Sequence, residues 1–292
     1  MPEIDAETDL FGLLGNPVSH SLSPLLQNSL ARRLELNAVY LSFQVNENQL
    51  RSAIDGCRGL GVKGLNITTP HKRNTMELMD EIHPTARATG AVNTVLFENK
   101  GPLVGYNTDV IGFEEALSYN SYSPEGKECF VFGAGGGAAA VTYALARSRA
   151  KTIHLANRSS STAKKLVSKI KQATDHQDIW AHPLSCSSLP EKIFNSELIV
   201  NATSVGMWPN DSESIWNRED VFRSDQLVFD LVYNPEQTRF LRQAASKGAK
   251  TTSGLTMLIF QGLHSMNLWV KADLQSEGLI DELTRKMRGE LH

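Results

Sequence analysis

Cys129-Phe-Val-Phe-Gly133-Ala134-Gly135-Gly136-Gly137-Ala138 reads as a short apolar strand, a tight loop and the start of a helix. Gly133, Gly135 and Ala138 fall on the spacing G-x-G-x-x-A. The first glycine permits a sharp turn, and the second lets the main chain approach a pyrophosphate. The small third residue lets helix and strand pack closely. The helix N-terminus adds free N–H groups and the positive end of its dipole. A strand before the loop and a helix after it are the context that a dinucleotide site requires. In an NAD-type site an acid about 20 residues past the first glycine binds the ribose 2′-OH. Here the corresponding strand end is His154-Leu-Ala-Asn157-Arg158-Ser159, with no acid. A guanidinium holds a 2′-phosphate through two parallel hydrogen bonds, and Asn and Ser add others, so this end favours NADP over NAD. The alternative leaves Arg158 as a surface arginine at a strand end.

Around this loop the chain alternates strands and helices. Strands are read at Thr152–Ala156, Ile179–Ala181, Leu198–Asn201, Leu227–Leu231 and Lys250–Thr252. Ser159–Ser161 starts a helix. Upstream, Leu10–Leu14, Val39–Val45 and Val62–Ile67 read as strands. A helix over Pro24–Leu34, with Ser23 as its N-cap, and another through Leu50, Ile54 and Cys57 separate them. That βαβαβ rhythm implies a mostly parallel sheet. Ala91–Phe97 and Leu103–Tyr106 flank Glu98-Asn99-Lys100-Gly101 as a hairpin. Ile111–Leu117 reads as a connecting helix, and Thr256–His292 as helical with an interruption around Gly278.

The 292 residues suggest about two domains. Hydrophobic residues make up 41% and charged residues 21%, as in an ordinary globular protein. The net charge of −3 provides no basic field for nucleic acid or anionic membrane. No apolar run approaches the ~20 residues of a membrane span, and the acidic start MPEIDAETDLFG does not read as a secretory signal. Cys57, Cys129 and Cys186 are scattered and show no CxxC spacing, which points to reduced thiols in the cytoplasm and to no metal site.

Three polar segments stand out in the first third. Gly64-Leu-Asn66-Ile-Thr68-Thr-Pro70-His71-Lys72 puts polar groups at the C-terminal end of a strand, where open α/β sheets bind ligands. Gly105-Tyr-Asn107-Thr108-Asp109 is a second polar turn near the domain junction. A lysine and an aspartate brought together there could exchange a proton with a hydroxyl. Otherwise Lys72 is solvated and Asp109 caps the next helix. In His20-Ser21-Leu-Ser23-Pro24 the two serines could face a polyol or a carboxylate, though Ser23 before Pro24 also reads as a plain cap. Asn93-Thr94 is a polar pair inside an apolar run and needs partners, either structural or from a ligand.

Taken in order, these segments resemble the shikimate dehydrogenase family. The likeness continues through Asn201-Ala-Thr203-Ser204-Val-Gly206-Met207, Tyr233-Asn-Pro235 and Gly254-Leu-Thr-Met-Leu-Ile-Phe-Gln261. It implies an α/β fold: an N-terminal α/β substrate domain, 1–108, completed by helices of 254–292 that pack back onto it, and a Rossmann-type doubly wound NADP domain, 109–253. It implies reversible NADP-linked reduction of 3-dehydroshikimate to shikimate. Lys72 and Asp109 match the catalytic pair. Ser21, Ser23, Thr68, Asn93, Tyr233 and Gln261 match substrate positions. Gly133, Ala134, Gly135, Gly136 and Gly137 match the pyrophosphate loop, and Asn157, Arg158 and Ser159 the 2′-phosphate site. Thr203, Leu231 and Gly254 match the rest of the cofactor site. The expected partners are the small-molecule substrate and the cofactor, with no nucleic acid or membrane, in a monomer or homodimer. Two positions depart from the family pattern: Ala139 and Thr162 stand where basic residues are common, with Lys164 or Lys165 as looser substitutes. Competing expectations are a quinate/shikimate dehydrogenase using NAD as well, and a non-catalytic NADP- or metabolite-binding regulator on the same scaffold. The loop from Trp208 to Glu213 reads either as a lid or as plain surface.

Overall fold

A computed structural model of the chain describes residues 4–98, 101–274 and 278–291. In chain order the first elements are β1 (Asp9–Gly15), α1 (Ser23–Arg33), β2 (Ala38–Gln44), α2 (Leu50–Gly59), β3 (Gly64–Ile67) and β4 (Glu81–Ile82). There follow α3 (Pro84–Thr89), β5 (Thr94–Phe97), β6 (Leu103–Tyr106) and α4 (Asp109–Tyr119). The central part holds β7 (Glu128–Phe132), α5 (Gly136–Arg147), β8 (Thr152–Asn157), α6 (Ser160–Ala173), β9 (Ile179–Pro183) and α7 (Leu189–Asn195). The last elements are β10 (Leu198–Asn201), β11 (Leu227–Asp230), α8 (Arg239–Ala245), β12 (Lys250–Ser253), α9 (Leu255–Val270) and α10 (Leu279–Arg288). The chain divides into two compact units, Met1–Gly112 with Leu258–Met287, and Phe113–Met257 with Arg288–His292.

The first unit is built on a sheet in the order β2-β1-β3-β5-β6-β4. It is mixed: β1 runs parallel to β2 and β3, and β4 to β6, whereas β3–β5 and β5–β6 are antiparallel. The hairpin explains this, because a short connection between neighbouring strands must reverse direction. Asn99 and Lys100, in its turn, lie outside the described residues. The strand read at Ala91–Phe97 begins at Thr94, since the Val92 N–H leaves the ladder to donate to Lys72 O (2.8 Å). The α1 N-cap is Leu22, not Ser23, which is the first helical residue. The Ser21 hydroxyl accepts the Ser23 N–H (3.2 Å), so the serine's capping work is done two residues earlier. The C-terminal helices pack on this sheet. Trp269 donates from Nε1 to Val95 O (3.0 Å) and stacks on Phe11, and any side chain on Gly64 would collide with its indole. Gln27 of α1 donates to Gly262 O in α9 (3.0 Å).

The second unit is a parallel sheet in the order β12-β11-β10-β7-β8-β9. Its strands read as near-continuous apolar runs because both faces are buried: Phe130, Phe132, Ile199, Val228 and Phe229 are all at most 0% exposed. Chain order reverses at β7, which has β8 on one side and β10 on the other. That is the switch point where doubly wound sheets bind ligands.

On β8, His154 Nδ1 lies 3.2 Å from Nε2 of His182 on β9. Burial, then the nearby Lys192 and His182 charges, pull His154 down to about 4 from 6.5. A histidine held low in the folded state contributes stability above its unfolded pKa, and that stability is lost as pH falls, because the unfolded chain takes up the proton first. The melting temperature is therefore expected to drop between pH 6.5 and about 4, and the His154→Gln variant to show a shallower drop. Equal slopes in both proteins would remove His154 as the source.

Candidate active site

Strand register assembles the polar segments of the first unit. Leu14 pairs with Ile67, Asn66 with Thr94, and Thr94 with Tyr106. The C-terminal ends of β1, β3 and β6 and the start of β5 thus share one edge of the sheet. The loop after Gly15, residues 68–72, Asn93 and Asn107–Asp109 all leave from that edge. Gly15 has no room for a Cβ, which would strike the Thr68 side chain, so the loop bearing Ser21 and Ser23 starts directly against Thr68. His71 is fully buried and donates from Nε2 to Val45 O (2.7 Å), anchoring the turn that presents Lys72.

Lys72 and Asp109 meet. Lys72 Nζ donates to Asp109 Oδ2 at 2.6 Å, with the side chains 22% and 9% exposed. Asn93 Nδ2 donates to Asp109 Oδ1 (2.8 Å), so each carboxylate oxygen has its own donor. The Thr108 main-chain N–H donates to Asn93 Oδ1 (2.7 Å), and that donor fixes the amide with its nitrogen toward Asp109. Asp109 opens α4, and its own N–H donates to Asn107 Oδ1 (3.1 Å). It therefore takes part in the pair from the first turn of a helix, with its carboxylate oxygens given to Lys72 and Asn93 rather than to the helix N-terminus.

Behind this pair lies a buried hydroxyl and amide cluster that the sequence did not reveal. Asn66 Nδ2 donates to Thr94 Oγ1 (3.1 Å) and Ser265 Oγ (2.9 Å), and Tyr40 OH donates to Asn66 Oδ1 (2.9 Å). Ser265 in turn donates to Gln261 O (2.9 Å), so Gln261 sits one turn earlier on the same face of α9. Five of the six substrate candidates, Ser21, Ser23, Thr68, Asn93 and Gln261, belong to the first unit; Tyr233 belongs to the second.

In the second unit the dinucleotide candidates leave the C-terminal ends of adjacent strands. Gly133 has φ +110° and donates from its N–H to Ala156 O (2.8 Å), tying the loop to the strand that ends in Asn157. Gly135 is the α5 N-cap, is exposed, and has nothing within 4 Å of a Cβ. A Cβ on Gly137 would lie 3.0 Å from Leu231, and one on Gly254 would collide with Leu231 O. Thr203 borders Gly133. An open helix N-terminus framed by glycines suits a pyrophosphate. Replacing Gly133 with alanine would set a Cβ 2.9 Å from Ala202 O at a φ that L-residues rarely adopt. The Gly133→Ala variant is expected to lose about 2 kcal/mol of folding stability, read as a lower denaturant midpoint.

At the end of β8, Asn157 Nδ2 donates to Ser159 O (3.1 Å), and Arg158 is exposed. Ser159 Oγ caps α6, accepting from the N–H (3.3 Å) and Oγ1 (2.9 Å) of Thr162. Thr162 is thereby committed to the cap, and Ala139 is buried.

Comparison with known proteins decides the family. The shikimate dehydrogenase substrate binding domain matches residues 13–95, and the shikimate / quinate 5-dehydrogenase domain matches 116–233. The chain belongs to the shikimate dehydrogenase family. The NADP(+) shikimate dehydrogenase of Methanopyrus kandleri is 40% identical over 286 residues, 98% of each chain. A crystal structure of a shikimate dehydrogenase in complex with NADP+ superposes with TM-score 0.91 at 34% identity, covering 99% of this chain and 98% of that one. The shikimate 5-dehydrogenase of Listeria monocytogenes, solved with shikimate and NAD, gives TM-score 0.89 at 33% identity, covering 98% and 99%. Among the described residues no helix is long and apolar enough to cross a membrane.

Proposed function

We propose that this chain catalyses the reversible NADPH-dependent reduction of 3-dehydroshikimate to shikimate, a step in aromatic amino acid biosynthesis. The observation that carries the proposal is the 2.6 Å Lys72–Asp109 pair on a strand edge from which the segments bearing Ser21, Ser23, Thr68 and Asn93 also leave, with Gln261 on α9 of the same unit. Bound NADPH supplies the hydride. As charge develops on the ketone oxygen, the Lys72 ammonium donates to it, and in the oxidative direction the pair accepts the hydroxyl proton. Asp109 holds the ammonium in place, and Asn93 holds Asp109. The proton in flight belongs to the pair as a unit. Hydroxyls of Ser21, Ser23 and Thr68 and the amide of Gln261 suit a ring carboxylate and its hydroxyls, with Tyr233 as a further contact. The Gly133–Gly137 main chain takes the pyrophosphate, Asn157, Arg158 and Ser159 take the 2′-phosphate, and Thr203, Leu231 and Gly254 border the rest. In this reading residues 1–108 with 254–292 serve the substrate and 109–253 the cofactor.

In a second reading quinate and NAD are also used, and its cofactor half is favoured by one observation: positions 139 and 162 carry a buried alanine and a capping threonine, and neither brings a guanidinium to the cofactor. The enzyme is proposed to work in the cytoplasm as a monomer or homodimer, in keeping with three free cysteines. Incubation with 3-dehydroshikimate and NADPH should consume NADPH and yield shikimate in equal amount. Consumption without shikimate, or none, overturns the proposal.

A further inference from the structure

The chemistry above leaves one buried acid unused. Asp230 ends β11, is 0% exposed, and receives donors from three separate segments. Asn201 Nδ2 donates to Oδ1 (2.9 Å), the Val232 N–H to the same oxygen (3.0 Å), and Thr238 Oγ1 to Oδ2 (2.7 Å). Burial pushes this carboxyl up to about 7 against those three donors. A buried acid is costly unless it is fully satisfied, so this one is held by its surroundings and holds them in turn.

The Thr203 main-chain N–H can only donate, so Asn201 must turn its oxygen toward Thr203 and its nitrogen toward Asp230. That oxygen accepts from both the N–H (3.1 Å) and the Oγ1 (2.7 Å) of Thr203. With its hydroxyl proton committed there, Thr203 turns Cγ2 toward the glycine loop, 3.1 Å from where a Cβ on Gly133 would lie. On the other side, the Val232 N–H bond pins the main chain flanking Leu231, and Val232 O accepts from the Gly254 N–H (3.1 Å). Leu231 is the side chain that borders Gly137. Both walls of the loop therefore refer back to one carboxylate.

We propose that Asp230 is a positioning residue for the dinucleotide, setting Thr203 through Asn201, and Leu231 and Gly254 through Val232, against the glycine loop. This rests on the cofactor reading above. The test is equilibrium titration of purified full-length protein with NADP+, and separately with shikimate, for wild type, Asp230→Ala and Asp230→Asn, with melting curves as a check on folding. An asparagine can keep its oxygen toward Asn201 and Val232 and turn its nitrogen to the Thr238 hydroxyl, so D230N is the conservative rescue. The expected result is that D230A weakens NADP+ about tenfold, shikimate affinity stays as in wild type, and D230N recovers most of the loss. If D230A fails to fold, Asn201→Ala removes the middle link and is read in its place with the same expected loss. An unchanged NADP+ affinity in a folded variant, or an equal loss for both ligands, overturns the proposal. Failure of the wild type to bind NADP+ instead overturns the cofactor reading on which it rests.

Discussion

Replacing Lys72 with alanine is expected to lower kcat by about 10²–10⁴-fold, the range for removing a positioned acid–base group. The pair is 2.6 Å apart with the carboxylate 9% exposed, so water is a poor substitute for the missing ammonium. The loss should appear in kcat and kcat/KM together, because the interaction strengthens as charge develops on the ketone oxygen. Steady-state kinetics in both directions make the check. A surviving kcat with a raised KM would make Lys72 a binding residue. Asp109→Asn should give a smaller loss of the same form, since it keeps the shape but weakens the hold on Lys72.

Replacing Arg158 with leucine is expected to raise the NADP+ KM about 10–100-fold while leaving the NAD+ KM nearly unchanged, as follows from losing hydrogen bonds between a guanidinium and a phosphate. The selectivity of the effect is what matters. Arg158 is exposed at the end of β8, and Asn157 and Ser159 brace each other beside it, so the substitution should leave the loop folded. Thr162 is neutral and committed to the cap, so only the flexible ammoniums of Lys164 and Lys165 on α6 are left as looser substitutes for the lost charge. Equal losses for the two cofactors would assign Arg158 to general stability, and no loss for either would leave it as a surface arginine.

The glycine loop was legible because its spacing is local and two of its residues answer a local steric demand. Gly133 needs a positive φ and Ala138 needs close packing, whereas nothing in the chain crowds Gly135. Strand ends could be read for the same reason, since an apolar run bounded by turn residues is a local signal. The Lys72–Asp109 pair was only half legible. Its residue types were visible, but the partners lie 37 positions apart, and only the registers of β3, β5 and β6 bring them together. In the polar cluster of Tyr40, Asn66, Thr94 and Ser265, the need of Thr94 for partners was legible but the partners were not, because the cluster joins α9 to a sheet far away in sequence. Asp230 was hidden similarly: it falls inside the strand read at Leu227–Leu231, but its three donors come from Asn201, Val232 and Thr238, which the strand pattern does not show. Residues 73–90 show no readable period in the sequence, since β4 has two residues and α3 six, too short for either period to appear. Ser23 was misplaced by one position because Ser21 competes for the same capping task.

In the proposed reaction, run in reverse, this chain oxidises shikimate with NADP+. Initial rates with purified protein, crossing shikimate and quinate with NADP+ and NAD+, test it most directly. The predicted result is a kcat/KM for shikimate with NADP+ well above the other three combinations. Rates absent for all four pairs, in protein that still binds NADP+, would contradict it.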